Sequence, residues 1–310
     1  MKKHFKKLLL MALMAVMAVG LIACGTDKSD NESTKEEKTS VTITSLDSSK
    51  NEIELEVPYN PKRIAILDLA SLDIIDELGV GDRVVGMAST SIDYLEKYSN
   101  DASIKNLGTI KEADLEAVME CEPDIIFIGG RLSKSYDALS EIAPVVYLAT
   151  DTNEGLVNSV SKNAKTIASI FGMEDKVDSL MSDFGARIDA IKKISSGKTA
   201  LVGMTTSGSF NLLGNDGRCS LIGVEAGFNN LTAAGSTSTH GNETSFETVV
   251  KQNPDYIFVM DRDSAISTAG AKNAKEIVEN ELVKTTDAYK NNHIIYLEHS
   301  NVWYTAEGGI

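Results

Sequence analysis

The sequence predicts an α/β protein of two Rossmann-like lobes joined by a long interlobe helix, with a ligand cleft between the lobes. Three observations predict it. Short β-rich apolar runs alternate with segments of helical period. A long helical pattern free of strands lies in mid-chain. A helix–turn–strand unit also recurs at constant spacing.

In the first half, Ile64-Ala65-Ile66-Leu67 reads as a buried strand and Leu69 to Leu78 as a helix stopped by Gly79. Val84-Val85, Ile125 to Ile128 and Val145 to Leu148 read as further strands. In the second half, Leu201 to Met204, Ile257 to Met260 and Ile294 to Leu297 do the same. Between the halves, Leu156, Val160, Ala164, Ile167 and Phe171 recur at helical spacing up to Gly172. The pattern resumes from Val177 to Ile191. Unbroken, such a segment would run ~60 Å at 1.5 Å per residue, and Gly172 is expected to divide or bend it.

The repeat aligns Leu115–Arg131 (LEAVMECEPDIIFIGGR) with Phe246–Arg262 (FETVVKQNPDYIFVMDR) at an offset of 131, with 7 identities in 17 positions. Each copy reads as helix, Pro-Asp turn, buried strand and an arginine just past the strand. In open α/β sheets ligands lie outside the carboxyl ends of the strands, so Arg131 and Arg262 are expected to face one cleft.

The chain begins with Lys2, Lys3, Lys6 and Lys7, an apolar run from Leu8 to Ile22 and then Ala23-Cys24-Gly25. A basic start, a short apolar stretch and small residues at a cleavage point make a secretory signal. The run is shorter than the ~20 residues of a spanning helix. Leu21-Ile22-Ala23-Cys24 resembles a bacterial lipobox, which implies lipidation of Cys24 and an anchor on the extracytoplasmic face of the cell membrane. Gly25 to Thr39 carries charges and no large apolar residue, so a flexible tether is expected. The expected organisation is a signal over 1–23, lipidated cysteine and tether over 24–40, a first lobe over 41–155, the helical connection over 156–196 and a second lobe over 197–310.

The net charge of −15 becomes −19 once the four signal lysines are removed, which argues against a nucleic-acid partner. A local cationic cluster can still dominate the field inside a cleft. Cys121 and Cys219 fall in different lobes and read as free thiols, supplying neither a disulfide framework nor metal-ligand spacing.

Pro61-Lys62-Arg63-Ile64-Ala65-Ile66-Leu67-Asp68, the paired Pro-Asp strands and the mid-chain helix together resemble the helical-backbone (class III) substrate-binding proteins of siderophore ABC importers. The likeness is greatest to the branch that binds ferric tetradentate catecholates of the enterobactin or petrobactin type. In that branch three arginines hold catecholate oxygens while a histidine and a tyrosine complete the coordination of iron. The resemblance puts Arg131, Arg218 and Arg262 in the first role and His240 and Tyr304 in the second. It implies no intrinsic cofactor, a ferric siderophore as transported ligand, and a monomer that meets an ABC permease and its ATPase. Members of the family continue past the tyrosine into a final helix, which would begin at Glu307-Gly308-Gly309-Ile310 and is expected to be missing.

The chemistry of these residue types agrees. Ferric iron wants six hard ligands. A bis-catecholate fills four and leaves two for an imidazole and a phenolate. The complex stays anionic, and guanidinium is a planar, permanently charged donor suited to paired oxygens. Haem, a corrinoid or a hydroxamate siderophore are alternative ligands. No nucleophile elbow, phosphate loop or His-Glu-x-x-His helix points to an enzyme. His293 and His299, near the last strand, read as structural.

Overall fold

Alternating side chains in SVTITSL and EIELEVP place one face of each segment inward. They form an antiparallel hairpin, β1 (Ser40–Leu46) and β2 (Glu52–Pro58), in register from Ser40 opposite Pro58 to Leu46 opposite Glu52. Ile43 and Val57 bury themselves in the first lobe, and Ser45 exchanges hydrogen bonds with the Tyr147 backbone. The computed structural model describes residues 38–232 and 238–310, so the signal, Cys24 and most of the tether lie outside the described residues.

The first lobe then adds β3 (Ile64–Ile66), α1 (Leu69–Glu77), β4 (Val84–Met87), β5 (Lys105–Asn106), α2 (Leu115–Glu120), β6 (Ile125–Ile128) and β7 (Val145–Tyr147). The five strands after the hairpin run parallel in the order β5-β4-β3-β6-β7. Both faces of this sheet are covered, which is why β6 reads as an unbroken apolar run. Strand order reverses between β3 and β6, and Asp68 and Arg131 follow those two strands into the crevice that such a reversal opens.

Helix α3 (Leu156–Phe171) ends on Gly172, whose left-handed φ of 68° closes the last turn through a bond to Ala168. A Cβ there would stand 2.4 Å from the Tyr59 hydroxyl, so glycine is required twice over. Helix α4 (Glu174–Ser195) turns back along α3: Lys165 pairs with Asp178 at 2.7 Å, and Val157 and Val160 share a cavity wall with Met181 and Phe184. The mid-chain segment is therefore a hairpin of helices. Only α4, ~33 Å long, carries the chain toward the second lobe, where Ser195 donates to the Ala226 carbonyl at 2.5 Å.

The second lobe contains β8 (Thr199–Thr206), β9 (Ser209–Leu212), α5 (Ser220–Gly223), β10 (Asn229–Asn230), β11 (Asn242–Glu243), α6 (Phe246–Gln252), β12 (Tyr256–Asp261), α7 (Arg262–Ala265), β13 (Ile294–Tyr296) and α8 (Ser300–Thr305). Its sheet runs β11-β9-β8-β12-β13, with β10 also on β8 and an antiparallel edge made by β9 and β11.

The internal repeat has a physical basis. Asp124 accepts from the Lys62 and Arg63 amides at 2.7 and 2.9 Å, tying its turn to the entry of β3. Asp255 accepts from the Thr199 amide and hydroxyl at 2.8 and 2.9 Å, tying its turn to the entry of β8. Cys121 and Cys219 are buried and free. Among the described residues no helix is long and apolar enough to cross a membrane.

Gly203, in the middle of β8, faces the Phe210 ring of β9. A Cβ there would lie 2.4 Å from two ring carbons and 2.9 Å from the Asn211 carbonyl oxygen. Gly203→Ala is expected to destabilise the protein by about 1–3 kcal/mol through overpacking. An unchanged midpoint in urea titration would show that the sheet yields without strain.

Candidate ligand-binding site

Each of the three arginines enters the site from the end of a regular element. Arg131 follows β6 in the turn Gly130–Ser135, Arg262 opens α7 directly after β12, and Arg218 stands two residues before α5. They converge on Tyr304 of α8. Their guanidinium carbons lie 5.9, 4.4 and 5.4 Å from its ring centroid for Arg131, Arg218 and Arg262. Cation–π attraction of this kind is worth about 0.5–2 kcal/mol per pair.

The hydrogen bonds are more specific than the ring contacts. Arg131 Nη2 donates to the Tyr304 carbonyl at 2.9 Å and Arg218 Nη1 donates to the same oxygen at 2.8 Å. One backbone carbonyl thus holds an arginine from each lobe. Arg262 Nε donates to the Tyr304 hydroxyl at 3.2 Å, and its Nη1 reaches Thr206 and Asp263, both at 3.2 Å. Among the described residues only Arg262 of the three has a carboxylate within ion-pair distance. Partial burial and the neighbouring Arg218 charge hold the Arg131 guanidinium below its ordinary value.

His240 lies on an exposed loop with its ring 6.4 Å from that of Tyr304 and inclined by 24°. Partial burial and the charges of Arg262, Arg218 and Lys111 lower its pKa. The imidazole therefore stays neutral, and able to bind a metal, to a lower pH than a free histidine. Tyr304 is 4% exposed, and its hydroxyl accepts from Arg262.

Beside these groups lies a cavity of about 670 Å³, lined from both lobes by Asp68, Ser71, Arg131, Arg218, Thr239 and Tyr304 among others. Its volume suits a small-molecule ligand. Arg262 and His240 are not on its wall; both lie against Tyr304. Four of the residues singled out in the sequence, Arg131, Arg218, Arg262 and His240, thus gather around the fifth, Tyr304. Among the described residues no three His, Cys, Asp or Glu side chains converge as a metal cage would require. His293 stacks on Tyr256 at 4.2 Å and bonds the Asp255 carbonyl, away from this group.

Asp68 was not apparent as a site residue in the sequence. It caps α1, accepting from the Ser71 amide at 2.9 Å and hydroxyl at 2.8 Å, and faces the cavity near Arg131. Burial raises its carboxyl pKa against those bonds. Its place at the carboxyl end of the first parallel strand was the available signal.

The segment carrying Tyr304 belongs to both lobes. Tyr304 packs in a core of the second lobe and Ala306 in a core of the first. Asn301 donates to the Ser91 carbonyl at 2.5 Å, and the Ile310 amide donates to Asp73 at 2.8 Å. Glu225 of the second lobe accepts from the Val157 amide at 3.1 Å, capping the first turn of α3 from across the cleft.

Two α/β lobes, a long connecting helix and a ligand-sized cleft with an arginine from each lobe on its wall define a solute-binding protein. The chain belongs to the periplasmic binding protein family, whose sequence profile matches residues 64–300. It is 37% identical to the petrobactin-binding protein YclQ of Bacillus subtilis, over 98% of this chain and 95% of that one. The crystal structure of YclQ superposes with a TM-score of 0.79, covering 87% of this chain and 93% of that chain. The catecholate-siderophore binding protein VctP from Vibrio cholerae, at 31% identity, gives 0.78 over 87% and 95%.

Proposed function

We propose that this chain is the substrate-binding lipoprotein of an ABC importer, capturing an anionic ferric catecholate siderophore and delivering it to a membrane permease. The observation that carries this reading is the use of Arg131 and Arg218. Two permanently charged groups from opposite lobes share a neutral carbonyl instead of a carboxylate. An incoming anion can take the place of that carbonyl, and catecholate oxygens offer the paired acceptors that guanidinium prefers. YclQ and VctP are named for catecholate-class or petrobactin binding, which agrees.

In this reading the siderophore supplies four oxygen ligands, and His240 and Tyr304 supply the other two. Tyr304 would release its phenol proton to solvent on meeting iron, and Arg262, which donates to that oxygen, would steady the phenolate. Lipidated Cys24 and the tether hold a monomeric binding body outside the membrane, within reach of the permease and its ATPase. The protein performs capture and release, with no bond making of its own.

Titration with a ferric bis-catecholate tests this, following tryptophan quenching and the visible charge-transfer band for wild type, His240→Ala and Tyr304→Phe. Submicromolar quenching is expected, with a band shift that both substitutions abolish. Tight binding with an unchanged band in all three proteins would remove the two residues from the iron. Wild-type protein that is folded yet binds no catecholate would end the siderophore reading and direct the search to haem and hydroxamates.

A further inference from the structure

Glu307 is a largely buried carboxylate facing the binding cavity, three residues after Tyr304, and the capture of an anion gives it no direct task. Its Oε1 accepts from the Cys219 amide at 2.7 Å. Cys219 sits at φ 60°, ψ 15°, a left-handed conformation unfavourable for a residue with a Cβ atom. The residue before it is Arg218, whose guanidinium donates to the Tyr304 carbonyl. Residues 304 and 307 therefore grip 218 and 219 at two points, one on the arginine head and one on the backbone beneath it. The charged and titratable groups facing Glu307 are Arg218, Glu225 and the Cys219 thiol. A buried carboxylate beside a second carboxylate is held there at a cost, so a bond to a strained turn is a physical reason for its presence.

We propose that Glu307 is a positioning residue that presents Arg218 to the cleft by holding the Cys219 backbone in its left-handed turn. The inference extends the siderophore reading, because the affinity it changes is that of the arginine clamp. Without the carboxylate the turn relaxes, and Arg218 loses the fixed base from which its planar fork is aimed. A ligand oxygen then meets a mobile guanidinium.

The test is a thermodynamic cycle on the full protein with a ferric bis-catecholate as probe, using Glu307→Ala and Arg218→Ala singly and together. Loss of one charge-assisted bond corresponds to about tenfold or more in Kd. Glu307→Ala is expected to weaken binding by about that factor when Arg218 is present, and to add nothing in the Arg218→Ala background. Glu307→Gln keeps an acceptor for the Cys219 amide and is expected to restore most of the affinity. Cys219→Gly, which removes the strain, is expected to recover part of the loss in Glu307→Ala. Factors that multiply in the double variant would show that Glu307 acts independently of Arg218 and overturn the proposal. A ligand-free readout keeps the two hypotheses apart. Amide hydrogen exchange over residues 217–220 is expected to rise in Glu307→Ala but not in Glu307→Gln. Unchanged exchange in both overturns the positioning role, whereas a wild type that fails to bind catecholate overturns only the siderophore reading.

Discussion

Replacing Arg131 and Arg218 together by alanine is expected to lower the affinity for a ferric bis-catecholate by about 100-fold or more. Each guanidinium contributes a charge-assisted bond worth roughly 1.5–3 kcal/mol, and 1.4 kcal/mol is about tenfold in Kd. The two sit on opposite lobes yet meet at one oxygen, 2.9 and 2.8 Å away, so a ligand placed there is held from both sides. Lysine at either position keeps the charge and loses the planar fork, so Arg218→Lys should fall between wild type and alanine. Raising the salt concentration should weaken wild-type binding more than that of the double variant, because the removed charges carry the screened attraction. The measurement is fluorescence quenching at two ionic strengths, with circular dichroism confirming the fold. A double variant that binds within a factor of three of wild type would show that recognition rests elsewhere in the cavity.

The second large effect is a loss of stability as pH rises from about 5 to 7.5. Burial raises the carboxyl of Glu307 to about 7 from its ordinary 4.5, against bonds from Cys219 and the charge of Arg218. Burial likewise raises Asp73 to about 6 from 3.8, against bonds from Ile310 and Tyr94. In both cases the folded state holds its proton more tightly than the unfolded chain. Their stabilisation is complete below the unfolded values and is lost as pH rises through the folded ones. For Glu307 the change is roughly 2–4 kcal/mol across the window, taking 1.36 kcal/mol per pH unit. His240 acts in the opposite sense, since its lowered pKa favours folding as pH rises. Differences between variants isolate the carboxyls: Glu307→Gln and Asp73→Asn should each flatten the fall in melting temperature between pH 5 and 7.5. Variant curves that run parallel to wild type through this window would mean that both carboxyls ionise as freely in the fold as outside it.

The strands and their order of appearance were legible because buried parallel strands leave unbroken apolar runs, as at Ile125–Ile128 and Tyr256–Asp261. The repeat was legible for a deeper reason: Asp124 and Asp255 make the same tie to a neighbouring strand, so their turns tolerate little change. Arg131 and Arg262 followed from that repeat, while Arg218, His240 and Tyr304 rested on the family resemblance. The β1–β2 hairpin was readable from its alternation and went unread. The reversal at Gly172 was half visible, as a glycine within a helical pattern, but its direction depends on contacts between α3 and α4, which such a pattern does not encode. Asp68 carried a signal in its place after the first parallel strand, whereas Glu225 and Glu307 could not be read at all. Those two bond backbone groups of distant residues, Val157 and Cys219, and no local pattern encodes such a partner.

The Tyr304 carbonyl also governs what the empty cleft ignores. Because it already satisfies Arg131 and Arg218, an entering anion gains only the difference between its own bonds and those it displaces. Chloride is a single spherical acceptor, and one phosphate, though it can pair with a guanidinium, spans fewer donors than a larger multidentate anion. On the function proposed above, a bis-catecholate presents several acceptors at once and displaces the carbonyl from both arginines in one event. On that reading the carbonyl contact is a threshold that abundant weak anions do not pass and a multidentate one does.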